Sequence, residues 1–218
     1  MTKTTERIVQ SLLERHGQTY AAELGIDLEK GTPSVLFRWL CAAILLSARI
    51  SARLAMRAAA ALAGEGWTSA QKMAAATWEQ RTRTLNAAGY ARYDESTSRM
   101  LGETAELLLE RYRGDLRRLR EEAGHDPARE RALLNACKGL GDVGVDIFFR
   151  EAQLCWDELY PFADRRALEA ARHLGLGDDA KALARLVPRQ QFPALTAALV
   201  RAALAKDLDG VLERAKSG

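Results

Sequence analysis

The chain has 218 residues, a formal net charge of +3 and 48% hydrophobic residues. That length allows one large domain or two small lobes with a hydrophobic core, and the small net charge excludes nucleic-acid binding through overall charge alone. Alanine, leucine, arginine and glutamate dominate whereas β-branched residues are few, which favours helices. The most apolar run, LCAAILLSA, is too short to cross a membrane. We therefore expect an all-α fold.

Helical patterns follow one another along the chain. Apolar residues at three- and four-residue spacing predict a helix from Thr5 to His16. A loop follows, and a nearly all-apolar helix begins at Pro33. Capping residues and glycines delimit the next helices, at Gly64, Ser69, Thr77, Gly89, Gly114 and Gly124. Three more helical stretches precede a charged tail, from Asp164 to Leu174, Ala180 to Leu186 and Pro193 to Leu204.

The three cysteines, Cys41, Cys137 and Cys155, show no CxxC pair and no cysteine–histidine spacing suited to zinc or an iron–sulfur cluster. Each lies in an apolar context, which predicts buried free thiols and a reducing cytoplasm. The N-terminal stretch MTKTTERIVQSLLERHG lacks the apolar core of a secretion signal. The sequence therefore predicts a cytoplasmic protein without a metal or another cofactor.

The stretch CKGLGDVGVDIFFREA, residues 137–152, holds three glycines within six positions between two helical patterns. Gly139 and Gly141 can adopt positive φ angles and expose backbone N–H groups, while Leu140 between them can turn inward. The first amides of the following helix point the same way, so the turn suits a backbone phosphate, with Lys138 beside it. An ordinary glycine-capped helix corner is the alternative.

The segment LLNACKGLGDVGVDIFF resembles the helix-hairpin-helix of the DNA glycosylase superfamily that includes endonuclease III and the adenine glycosylases. Gly139, Leu140 and Gly141 match the Gly-Val-Gly core of that motif, Lys138 replaces its proline, and Val145 lies near its final alanine. Segments around LLSARIS, LNAAGYARYDES and YPFADRRALEAARHLGL are similar to the family in the same order.

The resemblance implies a two-lobed, all-α monomer of base excision repair. Such a protein binds double-stranded DNA, flips a damaged or mispaired base into a pocket between the lobes, and hydrolyses its N-glycosidic bond. Residues 33–159 would form the lobe with the helix-hairpin-helix, at about residues 131–152. Residues 1–32 and 160–218 would form the second lobe.

The resemblance also implies roles for single residues near the reaction. Asp164 matches the catalytic aspartate, whose carboxylate stabilises the oxocarbenium-like state and guides a water; its ordinary structural role is a helix N-cap. Val143 stands where bifunctional members carry a Schiff-base lysine, so we expect a monofunctional enzyme without efficient AP-lyase activity. The iron–sulfur cysteines of the family are absent.

Three arginines have both a DNA-binding and an ordinary interpretation. Arg49 matches the glutamine that fills the gap left by a flipped base, or is a solvated residue at a helix end. Arg165 and Arg166 contact phosphates or balance the Asp164 carboxylate. The expected DNA-binding set is Lys138, Gly139, Leu140, Gly141, Val143, Gly144, Arg49, Arg165 and Arg166.

Tyr90, Tyr93 and Asp94 fall where the family lines its base pocket, with a core position as the alternative for the tyrosines. Because the lysine and the metal cluster are missing and the net charge is small, a non-catalytic DNA-binding module on the same scaffold is the alternative to the enzyme. A helical interaction protein without a nucleic-acid role is a third interpretation.

Overall fold

The computed structural model describes residues 2–217, and side chains up to residue 216. Those residues form no strand and fourteen α-helices, so the all-α prediction is confirmed. The helices are α1 (Lys3–His16), α2 (Tyr20–Glu23), α3 (Pro33–Ser47), α4 (Ala52–Gly64), α5 (Ala70–Ala75), α6 (Trp78–Ala87), α7 (Asp94–Tyr112), α8 (Leu116–Glu122), α9 (Pro127–Leu134), α10 (Gly141–Ala152), α11 (Arg165–His173), α12 (Ala180–Ala184), α13 (Phe192–Ala205) and α14 (Leu208–Ser217).

The chain divides into two compact units. Unit 1 consists of Met1–Glu23 and Phe149–Gly218, and unit 2 of Leu24–Phe148. The predicted boundaries, after residues 32 and 159, both lie later in the chain than the observed ones, after residues 23 and 148. The second observed boundary falls inside α10. Within residues 2–217, no helix combines the length and the apolar character needed to span a membrane.

Unit 2 is built around α3. Pro33 occupies the first turn of this helix, where its missing N–H costs nothing, and nine of the fifteen residues are buried. The Trp39 side chain is fully buried and its indole Nε1 donates to the Phe148 carbonyl at 3.0 Å. Helices α4, α7 and α8 pack against α3. This core supports the turn between α9 and α10.

Unit 1 has a core of its own, in which α1 packs against α13 and α14, and α11 packs against α13. Ile8, Val9 and Leu12 supply the buried stripe that the spacing in α1 predicts. The sequence predicts a charged tail after Leu204 but no helix there, whereas residues 208–217 form α14. Val211 is buried there, and its carbonyl accepts a hydrogen bond from the Ser11 hydroxyl at 3.3 Å.

The loop predicted after Gly17 contains a helix, α2, that the local sequence does not indicate. Its first two N–H groups, from Tyr20 and Ala21, donate to the two carboxylate oxygens of Glu151 at 2.9 and 2.8 Å. Glu151 is fully buried, and burial raises the pKa of its carboxyl even though these amide bonds oppose the shift. A residue far along the chain therefore caps α2.

The three cysteines are thiols that form no disulfide bond, as expected. Cys41 and Cys137 are buried, whereas Cys155 is partly exposed, which corrects the prediction of three buried thiols. Burial raises the pKa of the Cys137 thiol to about 12, so this group stays protonated and unreactive at neutral pH. No group of three or more potential metal ligands occurs in the part of the chain that the structure describes.

Candidate nucleic-acid interface

The turn between α9 and α10 takes the conformation that its glycines allow. Gly139 has φ +81° and Gly141 has φ +52°, a region that other residues rarely adopt. Leu140 points inward and is 1% exposed, as expected. A Cβ atom on Gly139 would lie 2.6 Å from the Met100 sulfur, so both the backbone angle and the packing require glycine at this position.

Two hydroxyls donate to carbonyls of the turn and hold it against the rest of unit 2. The Thr104 hydroxyl donates to the Lys138 carbonyl at 3.1 Å, and the Ser47 hydroxyl shares its one proton between the Ile44 carbonyl at 2.7 Å and the Gly139 carbonyl at 3.2 Å. In a trans peptide the C=O and N–H groups point in opposite directions. The N–H of Gly139, which shares a peptide with the Lys138 carbonyl, therefore faces away from Thr104.

The beginning of α10 adds further backbone donors. The first N–H groups of an α-helix have no acceptor within it. Gly144 is the first residue of this turn with an intrahelical bond, to the Leu140 carbonyl at 2.9 Å. Gly139, Asp142 and Val143 are exposed, and within residues 2–217 their N–H groups form no hydrogen bond. The turn thus offers at least three amide donors on its outer side.

The charges around the turn are partly compensated. The Asp142 carboxylate accepts a hydrogen bond from Asn135 at 3.0 Å, and Asp146 pairs with Arg131 at 2.5 Å. Lys138 is exposed beside the turn, and its side chain has no polar partner among the described residues. Arg131 thus offsets the charge of Asp146, whereas the Asp142 carboxylate, 79% exposed and 3.9 Å from Arg131, stays a negative charge beside the turn.

Arg49 lies in the bend between α3 and α4, two residues after Ser47, whose hydroxyl reaches the turn. Its side chain is exposed and forms no ion pair with the described residues. Val143, on the first turn of α10, is 62% exposed. These two positions extend the surface beside the glycines with one cation and one apolar side chain.

Asp164 lies in unit 1 and is the N-cap of α11, as its structural interpretation predicts. Its Oδ1 accepts the N–H groups of Arg166 and Ala167 at 2.9 and 3.2 Å. Its Oδ2 accepts Nε and Nη2 of Arg150 at 2.6 and 2.5 Å. Both side chains of this ion pair are 5% exposed. The carboxylate is therefore buried, with partners on both oxygens.

Sequence reasoning missed Arg150 as a residue of this site. The signal for it is an arginine inside the apolar segment IFFREA, on the face of a helix that has to be buried. A buried guanidinium needs a carboxylate or several carbonyls as partners. The predicted alternative that Arg165 or Arg166 balances Asp164 is wrong, because Arg150 does so. The Arg165 side chain is 89% exposed and pairs with Glu169 at 2.7 Å, and Arg166 is exposed.

The predicted base-pocket residues belong to unit 2, and the structure places Tyr90 in the core. Its ring is fully buried, its hydroxyl donates to the Leu45 carbonyl at 3.2 Å, and burial raises its pKa. Asp94 is 9% exposed and accepts Asn86 Nδ2 and the Glu95 N–H, both at 2.8 Å. The pocket prediction is thus wrong for Tyr90, whose core alternative is correct, and Asp94 has its oxygens occupied.

Tyr93 differs from Tyr90 because its ring is only partly buried. The two ring centroids lie 6.4 Å apart, and the Arg92 guanidinium lies 5.2 Å from the Tyr93 centroid. The exposed part of Tyr93 is therefore flanked by a cation. Its place in a base pocket remains a prediction.

No protein-family model and no curated protein matches the sequence. Among solved structures, the chain is similar to one described as "Structure of a Trapped Endonuclease III-DNA Covalent Intermediate: Estranged-Adenine Complex". The identity is 16%, the match covers 75% of this chain and 71% of that chain, and the TM-score is 0.48. A likeness at this level identifies neither the family nor the function of the chain.

Proposed function

We propose that this chain binds double-stranded DNA by contacts between its hairpin, residues 137–144, and backbone phosphates. The observation that carries the proposal is that the N–H groups of three exposed residues, Gly139, Asp142 and Val143, form no hydrogen bond within residues 2–217, on a turn where the Lys138 and Gly139 carbonyls accept hydroxyl hydrogen bonds. Such amides bind phosphate oxygens without reading the base sequence. The order of the four sequence segments that resemble the glycosylase superfamily supports the same partner.

The shape of the site favours a polymer over a small anion. Sites for small ligands are concave and enclose most of the ligand. Here the donors lie on an exposed turn, beside the exposed Val143 side chain. A phosphate that is one of many on a duplex needs no enclosure, because neighbouring phosphates and cations add to the attraction.

Replacing Lys138 by alanine is expected to weaken duplex binding to a similar degree for every base sequence. Without this lysine beside a phosphate, the slope of log affinity against log salt should decrease by about 0.9. Fluorescence anisotropy of a labelled duplex across a salt series measures this slope. Lys72→Ala, at an exposed lysine of α5 in the same unit, is the matched control and should leave the slope unchanged. An equal effect of both variants contradicts a specific role for Lys138.

A second candidate function is monofunctional hydrolysis of the N-glycosidic bond of a damaged or mispaired base. It is favoured by the position of Asp164 at the start of α11, in the segment that resembles the catalytic segment of the superfamily. The Arg150 contact opposes it, because a guanidinium 2.5 Å from the carboxylate offsets the negative charge that an oxocarbenium ion needs. Val143 provides no amine for a lyase reaction.

Duplexes with damaged and mispaired bases, incubated with an excess of protein and then treated with alkali, separate the two functions. Binding alone predicts retention of the duplexes without alkali-labile breaks. Breaks that form with the natural chain and disappear with Asp164→Asn would instead establish base excision, provided that circular dichroism shows the variant to be folded. If no duplex is retained even at low salt and no alkali-labile breaks form, both candidates are wrong and a helical interaction protein is left.

A further inference from the structure

We propose that helix α4 and the bend before it form a second contact with DNA, through an arginine stripe made of Arg49, Arg53 and Arg57. The stripe follows the phosphates of one strand away from the hairpin. This inference rests on the proposed duplex binding, and it extends the interface to residues to which the sequence patterns assign no role, namely Arg53 and Arg57.

The three arginines repeat every fourth residue, and all three are exposed. Arg53 and Arg57 lie on one face of α4, about 6 Å apart along the helix axis, which is comparable to the separation of successive phosphates on a strand. They are the only charged residues of α4; the others are alanine, leucine, methionine and glycine. Ala60, three residues after Arg57, is exposed as well.

Some exposed arginines of this chain have a carboxylate partner. Arg117 pairs with Asp115 at 2.7 Å, and Arg165 pairs with Glu169. None of the three stripe residues forms an ion pair with a residue in the described range. A solvated helix face usually mixes charges of both signs, whereas a face with one sign is typical of a surface that binds the opposite charge.

The position of Arg53 is unfavourable for the helix itself. It is the second residue of α4, where the helix dipole is positive and acidic side chains are stabilising, and the first turn contains no acidic residue. The helix dipole and the charges of Arg49 and Arg53 therefore all contribute positive potential at the start of α4. A local choice that disfavours the fold is a sign of selection for function.

The stripe is continuous with the hairpin. Ser47, whose hydroxyl donates to Gly139, lies five residues before the first residue of α4, so at most about 17 Å of chain separates them. Arg49 lies within this connection. At the end of the stripe farther from the hairpin, Arg57 lies near Gly89 in the connection between α6 and α7. A Cβ atom built on Gly89 would lie 3.8 Å from Nη2 of Arg57.

Simultaneous replacement of Arg53 and Arg57 by alanine tests the stripe. Alanine favours helix, so the variant should keep α4. Because the variant lacks two cations that pair with phosphates, the slope of log affinity against log salt should decrease by about 1.8. If the two proteins bind equally well at 1 M salt, the variant should bind roughly 60-fold more weakly than the natural chain at 0.1 M salt. Arg118→Ala combined with Arg172→Ala removes the same charge from exposed positions of α8 and α11 and should leave the slope within error of the natural chain.

A gain-of-function variant tests the same stripe from the opposite direction. Ala60→Arg places a fourth cation one turn beyond Arg57 and should raise the slope by about 0.9.

An unchanged slope in the double variant, or an equal decrease in the Arg118/Arg172 control, overturns the stripe. If the natural chain binds the duplex and Gly139→Ala weakens binding by about 100-fold while the stripe variant keeps the natural slope, only the stripe is wrong. If the natural chain binds no duplex, the proposed function fails as well.

Discussion

Replacing Arg150 by methionine is expected to lower the free energy of unfolding of unit 1 by about 3–5 kcal/mol. Methionine fills a similar volume but leaves the Asp164 carboxylate buried without its cationic partner. The two amides of α11 still donate to Oδ1, but Oδ2 no longer accepts either of its hydrogen bonds. An uncompensated buried charge is among the most destabilising changes that a single substitution makes. Urea unfolding followed by circular dichroism measures the decrease.

Arg165→Met is the matched control, since it removes an arginine–glutamate pair on the surface of the same unit. This arginine side chain is 89% exposed, so its pair contributes at most about 1 kcal/mol. The double variant Arg150→Met with Asp164→Asn removes both charges and retains an N-cap, and should recover part of the stability. A decrease below about 1 kcal/mol in Arg150→Met would show that the buried pair is not a significant source of stability.

Gly139→Ala should weaken duplex binding by about 100-fold. At φ +81° an alanine is strained, and its Cβ would meet the Met100 sulfur at 2.6 Å, so the turn has to move. Two amide–phosphate hydrogen bonds, at about 1.5 kcal/mol each, correspond to this factor. Anisotropy of a labelled duplex at constant salt measures the affinity.

Gly66→Ala is the control that distinguishes the effect of backbone strain at a positive φ angle from an effect on the DNA-binding turn. Gly66 has φ +82°, nearly the angle of Gly139, but no atom lies within 4 Å of an added Cβ. This control has the same conformational cost in the same unit and should bind duplex as the natural chain does. Equal affinity of the two variants and the natural chain would show that the hairpin does not contact DNA.

Most helix starts could be predicted because their determinants are local. Pro33, Ser69 and Thr77 lie at or just before the helices they delimit, and their preference for these positions is a matter of backbone geometry. Helix α2 was missed because its N-terminal amides donate to Glu151, a residue 130 positions further along the chain than Ala21. No pattern within four residues of sequence records such a cap.

The residues of the candidate site likewise include some that the local sequence predicts and some that only distant contacts determine. The inward position of Leu140 follows from the glycines on both sides of it, so the conformation of the hairpin can be predicted from this one segment of sequence. The Arg150–Asp164 pair joins residues of different helices, and a single sequence does not show that they meet. The burial of Tyr90 is likewise determined by packing, because an aromatic residue serves a core and a pocket equally well.

The discontinuity of unit 1 has a consequence for synthesis on the ribosome. Helix α1 emerges first, but α13, against which it packs, begins 176 residues after the end of α1. At about 5–20 residues per second, translation needs roughly 10–35 s to reach it. Unit 2 is continuous and can fold within this interval, while Ile8, Val9 and Leu12 have no core to enter. The segment translated first is therefore among the last to reach its native environment.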